Sequence, residues 1–222
     1  MNRKGIDVSV WQGNVDWNKV KNAGTEFAII RTGFGRSDPS QIDKYFKKNI
    51  KGAKEAGIKV GVYHYSYAES AEDAANEAKF CLSILNGEKL DLPVYYDIED
   101  NSISDKHDKK IRTQMCINFC SEIEKAGYWA GVYANLNWFN NYLNKDVLSK
   151  KYTIWLAQYN DTNDMPCDVW QYTSSGKVDG IDGNVDMNIM YRDLINEVGK
   201  CGSLKPSAPS SPENEVTYYT VQ

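Results

Sequence analysis

The chemistry in this chain is concentrated where an apolar run ends in acid. Leu92-Pro93-Val94-Tyr95-Tyr96-Asp97-Ile98-Glu99-Asp100-Asn101 reads as a strand: Pro93 suits a first strand position, and β-branched and aromatic residues follow it. Side chains alternate along a strand, so Tyr95, Asp97 and Glu99 share one face, and Val94, Tyr96 and Ile98 the other. Alternate residues lie roughly 6.6 Å apart at Cα, near enough for two carboxylates to feel each other. Two acids at the dry end of a strand do not both ionise easily, which pushes one pKa up. A neutral carboxylic acid beside an ionised one is the equipment of glycoside hydrolysis. A surface strand end carrying solvated acids would have the same composition, but Asp97 and Glu99 directly continue a run that reads as buried on both faces.

The elements around this strand alternate in type. Residues 4–10, 26–32 and 59–67 read as strands one to three, 92–101 as the fourth, 128–134 as the fifth, 152–159 as the sixth and 168–172 as the seventh. Asp16 caps a short helix through Asn22, residues 45–56 form an amphipathic helix stopped by Gly57, and Ser70 caps a helix through Leu85. Residues 108–126 form a further helix, 137–148 a broken one of two short turns, and 190–198 the last. Ser174-Ser175-Gly176 reads as a turn into a short strand at 177–178, and 185–189 as another strand. Strand and helix alternate five times and then strands dominate, which points to a parallel sheet with crossover helices. No Gly-rich phosphate loop follows the first strand, so an irregular α/β barrel is preferred to an open doubly wound sheet.

In such a barrel the chemistry sits at the C-terminal ends of the strands. Asp7, Tyr63, Tyr65, Asp97, Glu99, Tyr133, Gln158, Trp170, Gln171 and Asp186 all fall there. Arg31 joins them as a substrate-binding candidate or as a partner for Asp7. Each has a bland reading alone, as a packed ring or a capping acid; four carboxylates and several rings converging on one mouth is the stronger pattern. With 2 His in the chain, a Ser-His-Asp hydrolase is a poor reading. His64 is expected to be packed and hydrogen-bonded, His107 solvated.

Composition narrows the class further. A net charge of −4 makes nucleic acid a poor partner. No apolar run approaches the ~20 residues of a membrane span, and Met1-Asn2-Arg3-Lys4 leads into a strand without an apolar signal segment. That is the expectation for a protein folded in a cytoplasm or one that has lost its leader. The 5 Cys are an odd number without a C-x-x-C pair, so free buried thiols are expected, with no structural metal and no cofactor. The expected layout is a monomeric catalytic domain over 1–202, a Pro/Ser linker over 203–215 and the start of a truncated module over 216–222.

Three motifs together resemble the glycoside hydrolase family 25 lysozymes, the Chalaropsis type. Gly5-Ile6-Asp7-Val8-Ser9-Val10-Trp11-Gln12-Gly13 is similar to that family's opening. Asp97-Ile98-Glu99 is similar to its acidic pair, and Val169-Trp170-Gln171-Tyr172 with Val185-Asp186-Met187-Asn188 to its closing motif. The resemblance runs from about Gly5 to about Val198. It implies a TIM-like (β/α)5β3 barrel that cleaves the β-1,4 bond between N-acetylmuramic acid and N-acetylglucosamine in bacterial cell-wall peptidoglycan, as a phage endolysin or an autolysin does. It also implies Glu99 as general acid, with Asp7, Asp97 and Asp186 supporting it. Tyr219-Thr220-Val221-Gln222 resembles the first strand of a LysM wall-binding repeat. A family-18 chitinase-like enzyme is the alternative glycosidase, but its strand-four pattern D-x-D-x-E has Tyr95 at the first acid here. A carboxylate-metal phosphodiesterase and a non-catalytic carbohydrate-binding barrel are the alternatives from other classes.

Overall fold

The structure, a computed structural model, describes residues 2–100 and 107–201. Eight strands close into one barrel in sequence order. The first six run parallel to one another: β1 (Arg3–Val8), β2 (Phe27–Phe34), β3 (Lys59–Tyr65), β4 (Val94–Asp97), β5 (Ala130–Asn135) and β6 (Thr153–Ala157). β7 (Val169–Gly176) pairs parallel with β6, and β8 (Val185–Met190) lies antiparallel between β7 and β1, closing the ring. The connecting helices are α1 (Trp17–Asn22), α2 (Phe46–Glu55), α3 (Ala71–Leu85), α4 (Lys109–Lys125) and the short α5 (Lys145–Ser149), with α6 (Leu194–Cys201) last. This is the (β/α)5β3 arrangement.

Local chemistry sets most of these limits. Asp16, Ser70 and Asp108 cap α1, α3 and α4 by accepting backbone N–H groups from Lys19, Asp73 and Ile111. Asn86 ends α3 in the left-handed region at φ 48°. The broken helix after β5 is a π turn, Trp138–Tyr142, followed by α5.

Four expectations need correction. β4 is shorter than the apolar run, ending at Asp97, so Glu99 stands just past the strand. β7 continues through Gly176 by way of register shifts, where a turn was expected, and pairs with Val185 there. The last helix begins at Leu194 because β8 runs to Met190. His107 is half-buried, and its Nε2 takes no hydrogen bond among the described residues. Cys81, Cys116, Cys120 and Cys167 are free thiols. The linker at 203–215 and the residues at 216–222 lie outside the described residues, as does the expected boundary at 202.

Alternation sorts each strand into two cores. Outward residues such as Val60, Val62, Tyr96 and Val132 pack under the helices. Inward residues Phe27, Ile29, Tyr95, Tyr133, Trp155 and Val169 fill the barrel itself. Trp155 is the central plug, its ring centroid 4.4 Å from that of Tyr133, 5.2 Å from Tyr95 and 5.9 Å from Tyr63. Glycine makes room for these rings. A Cβ on Gly5 would lie 2.5 Å from the Phe27 ring, and one on Gly131 would lie 2.3 Å from Thr153 Oγ1 and 2.5 Å from the Tyr95 ring. The lower barrel is therefore filled by side chains.

Candidate active site

The mouth is built by register. Asp7 on β1 sits directly opposite Asp186 on β8, and Asp97 on β4 lies between Tyr65 on β3 and Tyr133 on β5. Glu99, two residues beyond Asp97, meets Asn135 at the end of β5. Like charges directly opposite on an antiparallel pair repel at close range, and here the repulsion is not diluted by water: Asp7 and Asp97 are both 5% exposed. The carboxyls consequently move together. Burial raises Asp7, with Asp186 and Glu99 adding to it. Burial raises Asp97 well above the usual range, with Glu99 and Asp7 adding and Arg31 opposing. Burial raises Glu99 and Asp186 as well. Such a cluster shares protons among its members at a pH where isolated carboxyls have lost theirs.

Three side-chain amides steer these acids, and each is itself held so that its NH2 end must face a carboxyl. Asn188 Oδ1 accepts the Trp155 indole N–H at 2.8 Å, which turns its NH2 toward Asp7 Oδ2 at 2.8 Å. Gln171 Oε1 accepts the Tyr133 and Tyr159 hydroxyls at 3.0 and 2.9 Å, which turns its NH2 toward the same oxygen at 2.8 Å. Asn135 Oδ1 accepts the Trp138 N–H at 3.1 Å, and its NH2 faces Glu99 Oε2 at 2.9 Å. An amide has one acceptor end and one donor end, so committing the first orients the second. The aromatic plug thus sets the orientation of the acids above it.

Glu99 opens onto a pocket of about 320 Å³ lined by Tyr133, Asn135, Leu136, Asn137, Ala157 and Tyr159. On the other side of the mouth Tyr65 donates its hydroxyl to Asp100 at 3.0 Å and packs edge-on against Tyr67, with centroids 5.2 Å apart. Asp97 Oδ1 is buried and takes no hydrogen bond among the described residues.

The structure brings Asp7, Tyr63, Tyr65, Asp97, Glu99, Tyr133, Gln171 and Asp186 to this mouth, turns Gln158 and Trp170 to other partners, and places Arg31 near enough to Asp97 to oppose its rise while Asp43 holds it. Gln158 turns away and clasps Asp164, donating to its carboxylate at 2.6 Å and accepting its backbone N–H at 2.9 Å. Trp170 lies on the outer face of β7, giving its indole N–H to the Gln158 carbonyl and stacking toward Tyr172 and Tyr191. Strand parity explains this, because Val169 and Gln171 face inward. Arg31 bonds Asp43, not Asp7, through Nε and Nη2 at 2.9 Å each. Asp43 also accepts the Val10 and Tyr45 N–H groups, so this pair locks the loops after β1 and β2. His64 is buried between Thr32 and the Gly35 carbonyl, and burial lowers its pKa to about 4. Asn135, Asn188 and Tyr159 complete the site without having been singled out by sequence. The available signal was period-two spacing: Asn135 follows Tyr133 and Asn188 follows Asp186 by two.

Among the described residues no group of three or more His, Cys, Asp and Glu side chains is disposed to hold a metal ion, and no helix is long and apolar enough to cross a membrane.

The profile of Glycosyl hydrolases family 25 matches residues 6–181. An autolytic lysozyme of Clostridium acetobutylicum is 32% identical over 83% of this chain and 55% of its own length. Lysozyme M1 of Streptomyces globisporus is 32% identical over 83% of this chain and 66% of its own. Among solved structures, the modular autolysin LytC of Streptococcus pneumoniae, determined with a synthetic peptidoglycan ligand, superposes with a TM-score of 0.76 at 29% identity, covering 86% of this chain and 47% of that one. The chain thus spans about half to two thirds of the length of these relatives.

Proposed function

The chain belongs to glycosyl hydrolases family 25, and from that premise we propose that its barrel hydrolyses peptidoglycan at the β-1,4 bond between N-acetylmuramic acid and N-acetylglucosamine, acting on the bacterial cell wall. The observation that carries the reading is the carboxyl cluster at the mouth, with Glu99 facing a pocket and its pKa raised by burial, Asp186 adding to it. A carboxylic acid that keeps its proton near neutral pH can give it to the departing glycosidic oxygen. Glu99 is the general acid in this reading. Tyr63, Tyr65, Tyr133 and Gln171 line the substrate's path. Neither a family-18-like chitinase nor a metal-dependent phosphodiesterase finds support in the family match.

Asp97 takes a different part. A protein nucleophile must approach the sugar from the face opposite the leaving oxygen. Asp97 and Glu99 come from one strand end and the same side, which suits Asp97 poorly for direct attack. Its buried, unpartnered Oδ1 suits it to accept the N–H of the substrate's 2-acetamido group. The acetamido oxygen then attacks the anomeric carbon as Glu99 protonates the leaving oxygen, and water opens the resulting ring with the proton returning to Glu99. Asp7 and Asp186 share the negative charge that the cluster retains, which offsets the developing oxocarbenium.

Turbidity loss of purified cell walls, with identification of the new reducing end, tests the reaction. N-acetylmuramic acid at that end is the expected result; N-acetylglucosamine would transfer the enzyme to a different bond. Fast NMR of the first-formed anomer tests the route. The β-anomer is expected, and an α-anomer appearing first would make Asp7 or Asp186 a general base acting on water.

A further inference from the structure

Glu99 has two oxygens, and the structure treats them unequally. Oε2 accepts the Asn135 backbone N–H at 3.0 Å and the Asn135 side-chain NH2 at 2.9 Å. The Tyr133 hydroxyl is the other hydrogen-bonding group beside this carboxyl, and its own proton goes to Gln171 Oε1 at 3.0 Å. The Asn135 amide cannot turn over without loss, since its Oδ1 already accepts the Trp138 N–H at the start of the π turn. Turned over, it would face Trp138 with a donor and Glu99 with an acceptor, leaving a half-buried N–H without a partner. The contact is that of an N-cap side chain with the N–H three residues on, at the entry to the segment that continues as the π turn.

We propose that Asn135 is a positioning residue for Glu99: it occupies Oε2 with two donors, assigns the catalytic proton to Oε1, and sets the pH at which that proton is lost. The inference rests on Glu99 being the general acid. An oxygen accepting two N–H bonds holds negative charge and is the poorer site for a proton, so the proton resides on the other oxygen. The same two bonds favour the ionised form and hold Glu99 down against what raises it. What raises it is burial, with Asp186 on β8 adding; Asp97 on its own strand and Asp7 on β1 face it too and are themselves raised by it. Tyr133 from β5 and Tyr159 from the loop after β6 also face it, both with pKa values raised far enough to remain neutral. Without the clamp Glu99 would hold its proton too firmly to release it to the leaving oxygen at working pH.

The test is the pH profile of kcat and kcat/KM on soluble glycan fragments released from purified cell walls. In Asn135→Ala the backbone donor survives and the side-chain donor is lost. The alkaline limb, which reports ionisation of Glu99, should move up by about one pH unit, with a lower kcat at the wild-type optimum. Asn135→Asp keeps an acceptor for the Trp138 N–H and keeps the side-chain shape, so it guards against a folding defect. It puts a carboxylate against Oε2 and should move the limb further in the same direction. A merely structural role for Asn135 would lower activity at every pH and leave the limb in place. An unmoved limb, or one shifted downward, in folded Asn135→Asp overturns the proposal. Failure of the underlying reading looks different: Glu99→Gln would then retain wild-type turnover whatever Asn135 does.

Discussion

Tyr96 and Asp97 are neighbours on β4, and they face two buried carboxyl sites of opposite kind. Outward, Tyr96 donates its hydroxyl to Glu77 Oε2 at 3.1 Å and contacts Ser66 Oγ at 2.7 Å, while Glu77 Oε1 accepts the Tyr67 N–H at 2.8 Å. Both Glu77 oxygens are satisfied, and the residue is 1% exposed. Inward, Asp97 is nearly as buried, yet Oδ1 has no partner among the described residues and other acids press on it. Burying a carboxyl is costly unless it is fully bonded. The outer site meets that cost with hydrogen bonds and ties α3 to the ends of β3 and β4. The inner site leaves it unmet among the described residues, which is the cost a reactive centre carries. One strand end thus carries a joint on one face and a reactive centre on the other.

Substitution on the two faces should separate these roles. Glu99→Gln should lower kcat by about 100- to 10,000-fold on soluble glycan fragments, with a near-wild-type melting temperature. Normal wall lysis by a folded variant would remove Glu99 from the reaction. Asp97→Asn should lose roughly 100-fold or more without recovery in azide. Azide rescue would instead mark Asp97 as a nucleophile whose glycosyl intermediate a small anion can replace.

The outer face should show the reverse. Tyr96→Phe strips the hydroxyl from Glu77 and Ser66 and should cost about 1–3 kcal/mol of stability, read as a drop of several degrees in thermal melting, with turnover at room temperature little changed. A large loss of turnover with unchanged melting would erase the contrast between the faces. The smallest effect concerns pH. Burial pushes Glu77 from 4.5 up to about 7, so the folded state binds an extra proton between those values. Stability therefore falls as pH rises from about 4.5 to about 7 and levels off above that. Glu77→Gln, which keeps an acceptor for Tyr67 N–H, should flatten that segment of a melting-temperature profile relative to the wild type; identical slopes would mean that Glu77 does not titrate there.

Much of this arrangement was legible in the chain, for identifiable reasons. The caps at Asp16 and Ser70 are local chemistry and were readable as such. The inward placement of Asp97, Tyr133 and Gln171 follows from period-two alternation within strands whose type was clear. Where alternation was ignored, as at Trp170, the expected site residue faces the other way. The partners that hold Gln158 and Arg31 were not legible for another reason: Asp164 and Asp43 lie in irregular loops, where sequence carries no period. The extent of β7 was missed because Thr173-Ser174-Ser175-Gly176 has turn composition and is held as a strand only by pairing with β8.

Sequence by itself determined the alternation of elements, the faces of the strands and the run of acids at the end of β4, since each depends on residues close together in the chain. It could not determine which acid oxygens would be satisfied. Asp7 receives its donors from Gln171 and Asn188, 164 and 181 positions away. Glu99 is held by a residue 36 positions on. Which end of each amide faces the carboxyl depends on Trp155, Tyr133, Tyr159 and Trp138, brought together by barrel closure. Hydrogen bonding is directional and acts over about 3 Å, so the electrostatic character of the site came into being only when the eighth strand met the first.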